Sequence, residues 1–161
     1  MRKGGRRRWL AVLVVCGLLF ASASGGVVTA QSASLQFANA VTTDQRGDVV
    51  AVPIRVGDRG YVALSVRAPD GTYDARVRVV DADDDGRVTV TVDTFGAGWA
   101  ADESTAYAAS AGDRVTDVDR RTRRLDGPIP AGRYNLVVAS GGESTAASLV
   151  LEPGRVGNAT T

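Results

Sequence analysis

A short acidic segment carries the side chains best suited to binding a cation. Asp81, Asp83, Asp85 and Gly86 match the first half of a calcium-binding loop, in which oxygens at positions 1, 3 and 5 bind the ion and glycine at position 6 permits a sharp turn. Position 12 is Val92 rather than the usual glutamate, so the sequence predicts weak binding, at roughly 0.1 to 1 mM as in extracellular modules. The alternative is a solvated acidic turn that Gly86 closes.

The composition narrows the chemistry open to the rest of the chain. Histidine is absent, the single cysteine is Cys16, and the only lysine is Lys3. Beyond the N-terminal segment this excludes Cys–His and Ser–His nucleophilic sites and zinc sites built on Cys or His. A glycosidase could still use two carboxylates, but the sequence singles out no pair of them. We therefore predict no catalytic residue, no enzyme activity, and no cofactor other than weakly held calcium.

The N-terminus has the organisation of a secretory signal. Residues 1–8 are basic, residues 9–21 are apolar, and residues 22–30 are mostly small. An apolar run of 13 residues is short for a bilayer, which needs about 20. We predict a signal peptide over residues 1–30 and an extracellular or cell-surface location. Arg6-Arg7-Arg8 leaves both general secretory and twin-arginine export open, and an uncleaved membrane anchor is the alternative to cleavage.

Residues 31–153 show the alternation of half-buried strands. Around the acidic loop, the apolar residues recur at every second position and define one face; they are Val77, Val79, Val88, Val90 and Val92. This pattern predicts a central β-hairpin, with further short strands and turns before and after it. The predicted fold is all-β: an immunoglobulin-like antiparallel β-sandwich of about eight short strands, followed by a flexible polar tail over residues 154–161.

A tyrosine after a Pro/Gly turn supports this fold class. Tyr134 follows the turn at residues 127–132 and opens an alternating segment. In immunoglobulin-like domains a tyrosine at this place forms a corner, with its ring in the core and its hydroxyl bonded to nearby backbone. We expect Tyr134 to be structural.

The charge distribution indicates which classes of partner the protein could bind. The formal net charge is +1, but five basic residues precede residue 9, and the remainder carries 14 basic against 18 acidic groups, a net charge of −4. A mildly acidic body does not favour nucleic-acid binding. An arginine cluster then has two interpretations: a site for acidic glycans or a neighbouring subunit, or water-facing residues that protect a strand edge. The cluster is Arg120, Arg121, Arg123 and Arg124.

Two aromatic residues occupy the long segment between predicted strands. Trp99 and Tyr107 would either stack on sugar or anchor this segment to the sandwich. Near the C-terminus, Asn158-Ala159-Thr160 is an N-glycosylation sequon, and export would make it usable.

Three segments together resemble a known family. They are Gly-Asp-Val-Val-Ala-Val-Pro-Ile at 47–54, Val-Asp-Thr-Phe-Gly-Ala-Gly at 92–98, and the Pro/Gly-Tyr segment at 127–138. They resemble the β-sandwich domain of haloarchaeal surface (S-layer) glycoproteins and related surface-domain proteins. This resemblance implies a non-catalytic module of the cell envelope, glycosylation, and partners among envelope proteins or glycans, with self-association. The alternative is an extracellular module that binds glycan or calcium, and membrane contact is expected only through an uncleaved signal segment.

Signal peptidase is expected to cleave after Ala30, because Val28 and Ala30 supply the small residues that the enzyme requires, and Ala21-Ser22-Ala23 is a second candidate site. N-terminal sequencing of the exported protein measures this directly. A chain that begins at Met1 and stays with the membrane would show instead that the segment is an anchor.

Overall fold

Two β-sheets face each other and enclose the core. The computed structural model describes residues 34–154, so the predicted signal peptide over 1–30 and the tail with Asn158 lie outside the described residues. The predicted all-β sandwich is confirmed, with ten strands rather than about eight. The strands are β1 (Gln36–Phe37), β2 (Val41–Gln45), β3 (Val49–Arg55), β4 (Tyr61–Arg67), β5 (Asp74–Val80), β6 (Arg87–Asp93), β7 (Tyr107–Ala109), β8 (Arg114–Arg120), β9 (Gly132–Ser140) and β10 (Glu143–Glu152).

One sheet has four strands in the order β1-β3-β6-β7, and the other has six in the order β2-β10-β9-β4-β5-β8. Neighbouring strands are antiparallel except β2 and β10, which are parallel, with Val41 opposite Ser148 and Gln45 opposite Glu152. The sandwich is therefore mixed at one edge of its larger sheet.

The alternating residues meet between the sheets as the sequence predicts. The five valines around the acidic loop are each at most 1% exposed, and so are Val50 and Val52 of β3 and Leu64 of β4. Burying an aliphatic side chain of this size contributes roughly 1.5 to 3 kcal/mol. The assignment of strand faces is confirmed throughout this region.

The pairing predicted for the central hairpin is wrong. β5 pairs with β4 and β8 in the six-stranded sheet, whereas β6 pairs with β3 and β7 in the four-stranded sheet. The acidic loop therefore crosses from one sheet to the other. Alternation specifies which face of a strand is buried but not which strand lies beside it, and both arrangements bury the same valines.

The segment between β6 and β7 is helical. Helix α1 (Thr94–Trp99) is capped by Asp93, whose carboxylate accepts from the amides of Phe95 and Gly96, and a 3-10 helix (Glu103–Ala106) follows. Two glycines in six residues disfavour a helix by sequence, but Gly98 is needed because a Cβ there would lie 2.2 Å from the carbonyl oxygen of Gly127. Within residues 34–154 neither helix has the length and hydropathy needed to cross a membrane.

The predicted tyrosine corner is present. The Tyr134 hydroxyl donates to the carbonyl oxygen of Pro130 at 2.7 Å, and the residue is 1% exposed. Its ring packs edge-on against Tyr73, with centroids 6.3 Å apart. Burial raises the pKa of Tyr134 well above its usual value, so the hydroxyl stays protonated and keeps donating.

Val90→Asp is expected to unfold the domain, because it places a charge between the sheets and costs more than about 4 kcal/mol. Thr91→Asp, one position along on the outward face of β6, should cost less than about 1 kcal/mol. Thermal or chemical denaturation compares the two variants. Equal losses of stability would contradict the orientation of β6.

Candidate functional site

Within residues 34–154 five connections pass between the sheets, and three of them lie at the same end of the sandwich: residues 56–60 from β3 to β4, residues 81–86 from β5 to β6, and residues 110–113 from β7 to β8. The first two are bonded to each other, since the carbonyl oxygen of Gly86 accepts from the amide of Val56 at 2.9 Å. The second and third meet just beyond Val80 and Arg114, which pair β5 with β8.

Asp81 and Asp113 lie directly beyond the last paired residues of β5 and β8. Val80 is opposite Arg114 in that pair, so the residue after one and the residue before the other come together at the sheet end. Asp83, in the crossover between the sheets, joins them. One carboxylate oxygen from each of the three residues lies within 4.8 Å of the other two.

Asp85, the third predicted ligand, is not part of this cluster. Its Oδ1 accepts from the amide of Arg87 at 2.8 Å, a turn contact that prepares the chain to enter β6. The structure therefore brings Asp81 and Asp83 together as predicted, but adds Asp113 in place of Asp85. Asp113 is thirty residues away in sequence, and no spacing pattern relates it to the loop.

The hydrogen bonds of the cluster leave one oxygen of Asp81, which is buried, and one oxygen of Asp113, which is partly buried, without a partner in residues 34–154. Asp81 Oδ2 accepts from the Gly86 amide at 3.0 Å, and Asp113 Oδ2 accepts from the Ser110 hydroxyl at 2.7 Å. The Oδ1 atoms of Asp81 and Asp113 are buried and have no hydrogen-bond partner within residues 34–154. Buried polar atoms are nearly always paired in folded proteins, so these two oxygens are exceptions that call for a physical explanation.

The electrostatics of the cluster disfavour three ionised carboxylates with no cation between them. Burial is the largest cause of the raised pKa of Asp81, and its contact with Asp83 and the charges of Asp113 and Asp85 act in the same direction. The Gly86 amide opposes them by donating to the charged form. Carboxylate oxygens are the donors that hard cations such as Ca²⁺ prefer, so this arrangement can hold such an ion.

Gly112 makes the close approach of Asp83 feasible. Its φ is +100°, and a Cβ on Gly112 would lie 2.1 Å from Asp83 Oδ2. The backbone conformation requires glycine, and a Cβ would push the exposed Asp83 carboxylate aside. The Gly112-Asp113 pair before β8 is an ordinary turn signal, which is why the sequence alone did not mark it as part of a site.

An open depression of about 580 Å³ borders the cluster on the side of Asp81. Acidic and basic residues line it together, and the principal ones are Arg55, Asp58, Arg59, Asp84, Asp85 and Arg87. It gives solvent access to this end of the sandwich.

The predicted arginine cluster does not form one surface. The Arg120 side chain is 7% exposed and donates to the carbonyl oxygens of Ala97 at 3.2 Å and Ala100 at 3.3 Å. It therefore holds α1 in place, and the expectation that it faces water is wrong. Arg121, Arg123 and Arg124 are exposed, as expected for water-facing residues.

The two aromatic residues of the long segment have different roles. Tyr107 is 5% exposed and its hydroxyl is hydrogen-bonded to that of Tyr73, so it anchors the segment to the core as predicted. Trp99 is 48% exposed, as is Phe95 one helical turn before it. The Arg124 guanidinium lies 5.5 Å from the centroid of the Trp99 ring. We call Phe95, Trp99 and Arg124 the α1 surface.

A family model described as "Domain of unknown function (DUF7827)" matches residues 27–141, well over half of the chain. The chain belongs to this family. No curated protein and no solved structure is significantly similar to it. The DUF7827 match ends in the turn between β9 and β10, yet β10 lies between β2 and β9 and buries Leu149 and Leu151. The folded domain therefore extends through β10.

Gly112→Ala is expected to destabilise the protein by roughly 1 to 2 kcal/mol, because Gly112 has a φ of +100°, a backbone conformation that alanine adopts only with strain. The added Cβ also displaces the Asp83 carboxylate, whose exposed side chain can move at little cost. Gly60→Ala is the control, since the backbone of Gly60 is not left-handed and a Cβ there meets nothing within 4 Å. Chemical denaturation in the presence of chelator gives both values, and equal losses would contradict the requirement for glycine at position 112.

Proposed function

We propose that this protein is a secreted or cell-surface structural and interaction module of the archaeal cell envelope, similar to S-layer domains and without catalytic activity. The observation that carries the proposal is the α1 surface. The basic, apolar and small-residue order of residues 1–30 supports export, and the β-sandwich is a common architecture for cell-surface domains.

The residue types of the α1 surface favour an interaction. Phe95 and Trp99 are separated by four positions, so they lie on the same side of α1. Each is 48% exposed. Aromatic residues and arginine are enriched at protein interfaces and carry much of their binding energy, and here they occur together with Arg124.

The α1 surface rests on a fixed base. Thr94 Oγ1 donates to the Asp48 carbonyl oxygen at 2.8 Å, and its backbone carbonyl accepts from the Ile129 amide at 2.9 Å. The Gly98 carbonyl accepts from the Leu125 amide at 2.9 Å. A surface held in place before binding loses less entropy when a partner docks.

The partners that this proposal implies are envelope proteins, envelope glycans or a second copy of the chain. Strand edges supply a further route to self-association, because β2 and β8 bound the larger sheet while β1 and β7 bound the smaller one. Val41 on β2 is 52% exposed.

Glycan binding is the second candidate function, and the half-exposed Trp99 ring favours it, since aromatic rings can stack on sugar. Outside the α1 surface, the exposed Tyr61 ring is less suited. Tyr61 lies on the outer face of the larger sheet, and the Arg78 guanidinium lies over its ring at 4.1 Å from the centroid. We therefore assign any glycan contact to the α1 surface.

Trp99→Ala is expected to weaken association with purified envelope material at least tenfold, which corresponds to about 1.4 kcal/mol. Tyr61→Ala is the matched control, because it removes an equally exposed ring elsewhere and should leave binding unchanged. Co-sedimentation measures protein binding, and a glycan array tests the second candidate.

Equal binding by both variants would overturn the role of the α1 surface. The non-catalytic part of the proposal is tested separately, on a panel of polysaccharide, peptide and ester substrates. Hydrolysis that is lost on replacing a single Asp or Glu would overturn it.

A further inference from the structure

We propose that Asp81, Asp83 and Asp113 form a calcium site that joins the β5–β6 crossover to the β7–β8 turn at one end of the sandwich. The site differs from the one predicted by the loop motif, because Asp113 replaces Asp85 as the third ligand. It is independent of the proposed envelope role, which depends on the α1 surface.

The buried carboxylate of Asp81 is a second observation, besides the clustering of acidic residues, that indicates a ligand. The residue is 4% exposed, and its Oδ1 has no hydrogen-bond partner within residues 34–154. Leaving a buried charged oxygen unpaired is costly. A cation bound to Oδ1 removes that cost, while Oδ2 keeps its bond to the Gly86 amide.

Asp113, in the connection between β7 and β8, has its two carboxylate oxygens arranged as in Asp81. Its Oδ2 accepts from the Ser110 hydroxyl, while its Oδ1 is buried without a partner in the described part of the chain. In both residues one oxygen is fixed by the protein and the other remains to bind. Two independent connections thus each present a held carboxylate with a spare oxygen.

The spacing of the oxygens fits a single ion. Calcium binds oxygen at 2.3 to 2.6 Å, so two ligands of one ion are at most about 5.2 Å apart. The ligand oxygens of Asp81, Asp83 and Asp113 all lie within 4.8 Å of one another. Asp83 is exposed, so the ion would keep water on that side.

The donor set favours calcium over other metals. All three side chains offer oxygen, whereas zinc and copper sites are usually built on nitrogen and sulfur. Calcium accepts six to eight oxygens in flexible geometry, so water and backbone carbonyls can complete the shell around three carboxylates. Such a sparse shell fits the affinity of about 0.1 to 1 mM that extracellular modules show.

The test compares thermal melts in chelator and in 10 mM calcium, at matched ionic strength so that general screening is equal. We expect calcium to raise the Tm of the wild-type protein by about 5 °C through mass action. Asp113→Asn should lose this shift, because an amide is a poorer ligand of nearly the same shape. Asp85→Asn should keep it, since Asp85 is a ligand in the motif but not in the structure.

Asp83→Asn is the second variant, chosen because its exposed side chain carries little packing. Its calcium-dependent Tm shift should be lost as well. Without calcium, Asp113→Asn should melt no lower than the wild type, because it removes repulsion between carboxylates. Terbium luminescence, titrated against calcium, gives a direct readout of binding for every variant that folds.

No calcium-dependent shift and no terbium signal in the wild type would overturn the proposal. Loss of the shift in Asp85→Asn with its retention in Asp113→Asn would also overturn it, in favour of the site predicted by the motif.

Discussion

The two sheets hold together because each has one apolar face that leaves water only when the faces meet. Val77 and Val79 of β5 and Val90 of β6 point into this shared core from opposite sheets, and each is fully buried. Within residues 34–154 the chain crosses between its two facing sheets five times, and the crossings carry backbone and side-chain polar groups to the rim of the core.

Polar atoms that are buried at the rim must find partners inside the protein, because water does not reach them. The Gly86 carbonyl solves this by accepting from both Val56 and Gly57. Asp81 and Asp113 are only partly satisfied, since each has one oxygen without a partner in the described residues. These two unpaired oxygens lie where the β5–β6 and β7–β8 connections come together. That coincidence distinguishes the cluster from an ordinary acidic turn.

The two candidate surfaces lie at opposite ends of the sandwich. β6 begins at Arg87, next to the acidic loop, and ends at Asp93, which caps α1. At the α1 end, Arg120 donates to the carbonyl oxygens of Ala97 and Ala100 near the end of the helix. A domain of this shape can bind an ion at one end and present an aromatic contact surface at the other, without either site disturbing the core.

The sequence by itself determined the fold class, the buried face of the strands around the acidic loop, and the structural role of Tyr134, because each depends on local periodicity or on a turn next to a known strand. The sequence did not determine which strands pair with each other, since the valines of β5 and β6 are buried equally well in a hairpin or in facing sheets. The tertiary structure decided the rest. In the folded protein Arg120 is buried against α1, whereas Trp99 is exposed. It also brought Asp113 to Asp81, because Val80 and Arg114 are opposite each other in strands separated by more than thirty residues.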